Sequence, residues 1–171
     1  IERLIRKNIR NEINFERIVI ETTGLADPGP IMQTLLLDNV LASSTRLDGI
    51  ITVVDSKHIT QHLDDEKPDD VENEAVEQIA FADRILLNKV DLATDNEIEE
   101  VVKRIKAINA LAPIYQTENS IIDPSELIGI GSFDLEKTLE MDPEFLDTDA
   151  EHEHDQNVTS ISSKFKGELN V

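Results

Sequence analysis

The pattern Asn-Lys-x-Asp, formed by Asn88, Lys89 and Asp91 in the run LLNKVDL, carries the sharpest chemistry in this sequence. A carboxylate in the fourth place can accept two hydrogen bonds, from the N1–H and the 2-amino group of guanine. Adenine lacks that donor pair. A buried carboxylate left unmatched would disfavour the wrong base by roughly 1–3 kcal/mol or more. Asn88 can hold the loop or meet the base edge, and the aliphatic stem of Lys89 can lie over the ring. Alone, such a tetrapeptide reads as a solvated turn; behind a buried strand it becomes a motif with a mechanism.

A second constellation lies in RIVIETTGLADP, Arg17 to Pro28. Ile18 to Ile20 form a short apolar run that ends on Glu21, followed by Thr22, Thr23 and Gly24. A carboxylate at a strand tip can help hold Mg²⁺, directly or through water. A glycine three residues on lets its backbone N–H approach a terminal phosphate closely. Thr22 and Thr23 can offer hydroxyls to metal-bound water. The plainer reading is a local turn before a helix capped by Asp27, which accounts for Asp27 and Pro28 but not for Glu21 at the end of a hydrophobic strand.

These residues need elements that bring them to one edge. Ile1, Ile5, Ile9 and Ile13 recur every fourth residue among charged neighbours, which predicts an amphipathic helix. Ile18–Ile20 predicts a buried strand. Asp27 is the expected N-cap and Pro28 the first-turn proline of a helix continuing through Ile31 to Leu37. Gly49–Val54, Arg84–Leu87 and Ala112–Thr117 predict three more strands, and Glu72–Phe81 a helix between them. Thr94 and Glu97 make a capping box, and the helix it opens carries Ile98, Val101, Val102, Ile105 and Ile108 on one side. Apolar strands alternating with helices indicate an α/β fold, a parallel sheet covered by helices on both faces. Ligands of such sheets bind beyond the carboxyl ends of the strands. Glu21, Asp55, Asn88 and Thr117 each stand at such an end.

Composition narrows the partners. The 171 residues suffice for one ordinary domain with a sizeable core. A net charge of -20 argues against nucleic acid and is read mainly as solubility plus an acidic tail. No apolar run reaches the length of a membrane span. There is no cysteine, hence no disulfide and no thiolate metal site, which fits a reducing compartment such as the cytoplasm. The chain opens on Ile1 and closes on strand-like residues, so a piece of a longer protein is expected. Residues 134–157, with ten acidic residues between Asp134 and Asp155 and one lysine, read as an acidic linker. Residues 158–171 read as the beginning of a second domain.

Four histidines offer metal chemistry. His152 and His154 in AEHEHDQ could form a weak Zn²⁺ site with acidic neighbours, although two imidazoles do not close a tetrahedral site. A solvated acidic linker is the competing reading. His58 and His62 are spaced as on one helix face, and a surface helix explains them without metal. Asp55 can face a ligand or cap the helix that starts near Ser56.

IVIETTGLADPGPI together with EQIAFADRILLNKVDL resembles the CobW family of P-loop GTPases, in its metal-chaperone branch. GIGSFDLEK (Gly129 to Lys137), the His-bearing acidic linker and NVTSISSKFKGELNV are similar to that family too. The resemblance covers nearly the whole chain. It implies a P-loop NTPase-like α/β domain over 1–133, lacking its phosphate-loop part, and the start of a small α+β C-terminal domain at 158–171. It implies GTP or GDP with Mg²⁺ as nucleotide and cofactor, hydrolysis of GTP, and Zn²⁺ or Co²⁺ delivered to a client metalloprotein; homo-oligomerisation is left open. By that resemblance Glu21 takes the Mg²⁺-organising position, through water, and Gly24 the phosphate-sensing one. Asn88, Lys89 and Asp91 take the guanine positions, and Thr117 lies near the loop that finishes the base pocket. The family's G-x-x-x-x-G-K-[ST] cradle and its Cys-x-Cys-Cys motif do not occur in these residues. The alternatives are a non-catalytic binding module that keeps the fold and, disfavoured by the base motif, a kinase-like ATPase.

Overall fold

The computed structural model of the chain describes residues 1–24, 26–65, 73–141, 143, 145 and 146. Three parallel strands form its centre: β1 (Ile51–Asp55), β2 (Arg84–Asn88) and β3 (Ile114–Thr117), in the order β1-β2-β3. Each was expected within a few residues. In β2, Ile85, Leu86 and Leu87 are all buried although successive side chains point to opposite faces, so both faces of this central strand are covered. The crossover helices do much of that work. α4 (Ile59–Leu63) and α5 (Glu74–Ala80) lie between β1 and β2, and α6 (Asp95–Ile108) lies between β2 and β3. Val54, Ile59, Ile79, Ile85, Leu87, Val101, Ile105 and Ala112 form one core.

Local sequence explains where these elements begin. The Asn73 side chain accepts from the N–H groups of Ala75 and Val76 and starts α5. The capping box of α6 is complete: Thr94 accepts from the Glu97 N–H, and Glu97 returns a bond to the Thr94 N–H. The turn after α6 is held by Asn109, 5% exposed. Its amide donates to the carbonyls of Ile79, Ala80 and Ala82, and its oxygen accepts from the N–H groups of Leu111 and Ala112. One side chain thus joins the end of α5, the entry to β2 and the entry to β3.

Before the sheet come α1 (Glu2–Ile9), α2 (Gly29–Leu37) and α3 (Asn39–Ser44); after it comes α7 (Leu135–Met141). Four expectations change here. α1 stops at Ile9, because Asn11 turns left-handed (φ 56°) and Asn8 exchanges two hydrogen bonds with the Phe15 backbone, folding the chain back. Ile5 is buried, whereas Ile9 is 64% exposed. The N-cap of α2 is Pro28 rather than Asp27, although the Asp27 carboxylate does accept from the Gly29 N–H.

The third change concerns Ile18–Ile20, which is no strand: it joins no ladder, and Val19 is 79% exposed. An apolar run becomes a strand only where a neighbouring edge accepts its hydrogen bonds, and no described strand pairs with this one. The start of the expected acidic linker is instead ordered, as α7 and as Phe145 buried against Phe81, because its apolar residues find a place on the core; most of the remaining linker and the whole segment 158–171 lie outside the described residues.

Candidate functional site

Register assembles the site. Asp55 of β1 pairs with Asn88 of β2, and Asn88 pairs with Thr117 of β3, so three polar residues stand side by side along the carboxyl edge of the sheet. Each is the last residue of its strand.

Asn88 is 9% exposed and works inward. Its Oδ1 accepts from the Thr117 hydroxyl at 3.1 Å and from the Ser120 N–H at 2.8 Å, and its Nδ2 donates to the Ser120 hydroxyl at 2.9 Å. The loop so held contains two left-handed residues, Asn119 (φ 51°) and Ser120 (φ 56°). Asn88 and Thr117 are therefore one structural unit. Of the two roles open to Asn88, holding the loop is the one its contacts perform.

Lys89 is left-handed as well, with φ 61° and ψ 34°. Such backbone disfavours a residue with a Cβ by roughly 1–2 kcal/mol, so neighbours must secure it. The Ser56 hydroxyl donates to the Lys89 carbonyl at 2.9 Å, and the Ser56 N–H donates to the Asn88 carbonyl at 3.0 Å. The Lys89 ammonium meets Asp55 Oδ2 at 2.6 Å. The Asp55 Oδ1 accepts from the N–H groups of Lys57 and His58, so Asp55 caps the turn into α4 and faces the motif at once. Burial pushes the Asp55 carboxyl up, but its bonds from Lys89, His58 and the Lys57 N–H outweigh that and hold it well below the usual carboxylate range.

Asp91 is the exception in this crowded edge. It sits in a short 3-10 turn, Val90–Leu92, is exposed, and has no hydrogen bond or ion pair among the described residues. Farther along, at the start of α6, Glu97 binds Lys57 at 2.7 Å, and with the Thr94 N–H this lowers its carboxyl to about 2. The motif thus holds two residues fixed by protein contacts and leaves one carboxylate open.

The stretch from Glu21 to Gly24 forms an exposed loop. Gln78 of α5 donates to the carbonyls of Gly24 (3.1 Å) and Ala26 (2.7 Å), and the Gln78 carbonyl accepts from Thr52 of β1. The Gln78 side chain thus ties the glycine loop to α5, and its backbone carbonyl ties α5 to β1. A Cβ on Gly24 would meet no heavy atom within 4 Å, so nothing in the described protein demands glycine there.

The family follows from a comparison with known proteins. The nucleotide-binding domain model of CobW/HypB/UreG matches residues 1–116. The chain belongs to this family. It is 36% identical to the zinc-regulated GTPase metalloprotein activator 1 of Schizosaccharomyces pombe, over 92% of this chain and 40% of that protein. It is 39% identical to the zinc chaperone YjiA of Escherichia coli, over 76% of this chain and 38% of that one. The crystal structure of the Zn(II)-bound YjiA GTPase superimposes with a TM-score of 0.67 at 37% identity, over 77% of this chain. The CobW-type α/β fold expected from sequence is therefore the fold of this chain, which spans about 40% of the length of the relatives it matches.

Sequence reasoning missed Ser56, Gln78 and Ser120; Ser56 and Gln78 bind backbone carbonyls, and Ser120 meets Asn88 through both its N–H and its hydroxyl. Serine behind a strand tip was the available signal for Ser56. Gln78 had none, because its partners are carbonyls far away in sequence. The two histidines have different acidic neighbours. His58 is the N-cap of α4 and touches Asp55 at 3.1 Å, whereas His62 faces Asp65 at 3.7 Å. Among the described residues no group of three or more His, Cys, Asp or Glu could hold a metal ion, and no helix is long and apolar enough to cross a membrane. His152 and His154 lie outside the described residues.

Proposed function

We propose that this chain supplies the guanine-reading and phosphate-sensing part of a GTP-hydrolysing metallochaperone that carries zinc or another transition metal to a client metalloprotein. The open carboxylate of Asp91, beside a lysine and an asparagine already fixed by the protein, is the observation that carries the reading. Its acceptor pair fits the N1–H and 2-amino donors of guanine. The names of the relatives, a zinc-regulated GTPase activator and a zinc chaperone, support the metal cargo and the client.

In this reading Asp91 meets the base edge, Asn88 and Thr117 shape the pocket wall, and Lys89 covers the ring. Glu21 would hold Mg²⁺ through water, and the ion would neutralise charge on the phosphates. Gly24 fits a phosphate sensor: its side is clear of protein, so the need for glycine would come from a close-lying phosphate. His152 and His154 would add at most a weak zinc-loading site, and the cytoplasm is the proposed compartment.

The test is base preference in the complete protein that contains this chain. Xanthine carries an oxygen where guanine carries its 2-amino group, so Asp91→Asn, which replaces one acceptor by a donor, should exchange GDP for XDP preference. Equal affinity of the wild type for GDP and ADP, or an Asp91→Asn variant that still prefers GDP, would refute the assignment.

A further inference from the structure

We propose that Asp55, outside the guanine motif, is a positioning residue for nucleotide binding: it anchors the Lys89 ammonium so that the lysine stem is laid out as a ready platform for the base. The inference rests on the guanine reading above and deepens it.

Lys89 is a long side chain on a solvent-facing loop, and about half its side-chain surface is exposed (47%). Free in solution, such a chain samples many rotamers, and ordering it on binding weakens affinity. Here both ends are fixed before any ligand arrives. The backbone end is held left-handed by Ser56, whose hydroxyl and N–H grip the Lys89 and Asn88 carbonyls. The ammonium end is held at 2.6 Å by Asp55 Oδ2. Asp55 and Asn88 are register partners on adjacent parallel strands, which run about 4.8 Å apart. The four methylenes of Lys89 therefore cross from the tip of β2 toward the tip of β1.

The anchor is itself rigid. Asp55 Oδ1 is committed to the N–H groups of Lys57 and His58, and Oδ2 also meets His58 Nδ1 at 3.1 Å. Its side chain is 28% exposed, less than that of the lysine it holds. A carboxylate tied at one oxygen by backbone donors presents the other in a fixed direction. The division of labour is then clear: Asp91 selects the base, and Asp55 determines how much order must be created when any purine of matching shape binds.

Two variants separate these roles. Asp55→Asn keeps an oxygen for the Lys57 and His58 N–H groups and removes the charge facing Lys89. Lys89→Met keeps an apolar stem and removes the ammonium. In the complete protein, GDP and IDP dissociation constants would be measured by titration calorimetry for the wild type, both single variants, the double variant and Asp91→Asn. IDP lacks the 2-amino group, so the GDP/IDP ratio reports Asp91 and not the platform.

The expected result is a loss of about five- to ten-fold in GDP affinity for Asp55→Asn, the cost of ordering one long side chain. IDP should weaken by the same factor, and the KM for GTP should rise in step. The double variant should lose no more than the larger single loss, because both substitutions cut one contact. A purely structural role for Asp55 would lower the melting temperature and would not reproduce that non-additivity with Lys89. Should Asp55→Asn fail to fold, Lys89→Met with Asp55 intact must show the same loss for both nucleotides. Asp55→Asn within two-fold of wild type, or losses that multiply in the double variant, would overturn the proposal while a collapsed GDP/IDP ratio in Asp91→Asn left the guanine reading standing. An unchanged ratio in Asp91→Asn would overturn both.

Discussion

Replacing Asn88 by alanine tests whether the loop around Asn119 and Ser120 is held by this one side chain. Three hydrogen bonds disappear: two accepted by Oδ1, from Thr117 and the Ser120 N–H, and one donated by Nδ2 to the Ser120 hydroxyl. At about 1 kcal/mol net each, the loss is about 3 kcal/mol. The Thr117 hydroxyl, on a residue only 5% exposed, loses its acceptor, which pushes the cost upward. Against this, Asn119 and Ser120 are freed to leave their left-handed conformations, recovering roughly 1–2 kcal/mol for each residue that relaxes. Partial relaxation leaves a stability loss of about 2 kcal/mol.

The same relaxation removes the loop geometry that a nucleotide would meet, so GDP affinity should fall by more than ten-fold. Ser120→Ala is the control. It deletes one bond and keeps the Ser120 N–H on Asn88, for a loss of about 0.5–1 kcal/mol. Urea unfolding gives the stabilities and calorimetric GDP titration the affinities, both on the complete protein. The reasoning is refuted if Asn88→Ala unfolds at the wild-type midpoint, or if it cannot be told from Ser120→Ala in both assays.

Further outcomes follow from other parts of the edge and core. Asp91→Asn should change stability by less than about 0.5 kcal/mol, because its carboxylate touches nothing described, while its base preference shifts; a large fall in unfolding midpoint would show a structural role. Asn109→Ala should cost about 2–4 kcal/mol, since five backbone groups around a buried side chain lose their partner; denaturant unfolding checks it, and a loss below that range would mean that water replaces the amide. Gln78→Ala should lower single-turnover GTP hydrolysis by about ten-fold, by releasing the Gly24 loop from α5, a displacement of the kind that costs catalysis through orientation. Burial raises the Asp83 carboxyl above its ordinary 3.8, against the Ile50 N–H that it accepts at 2.9 Å and Lys137 at 4.0 Å. The folded state then keeps this proton longer than the unfolded one, so the Asp83 contribution is full below pH 3.8 and is lost as pH rises through the folded value. Asp83→Asn lacks that loss, and its stability relative to wild type should climb across that interval and then level off; a pH-independent difference would contradict it.

Much of this was legible in the chain itself. The strands at Ile51, Arg84 and Ile114, the capping box at Thr94 and the Asn-Lys-x-Asp loop follow from local patterns, because short apolar runs, caps and turns are decided by neighbours in sequence. Ile18–Ile20 misled for the complementary reason: hydrophobicity marks a segment that can pair, and pairing needs an edge from elsewhere in the chain. His58 and His62 read as a surface pair without metal, and the structure places His58 at the N-cap of α4 and His62 within it.

Sequence by itself determined which chemical groups this protein offers: an acceptor pair at Asp91, a carboxylate and a glycine at Glu21 and Gly24, and strand tips at Asp55, Asn88 and Thr117. Tertiary structure decided which of those groups are committed and which are open. Register placed Asp55, Asn88 and Thr117 in one row, Ser120 closed on Asn88, Asp55 took the Lys89 ammonium, and Gln78 reached the Gly24 loop. Those contacts join residues about thirty to fifty positions apart in sequence, and no local propensity encodes them, because their energy exists only when the sheet has brought the partners within hydrogen-bond distance.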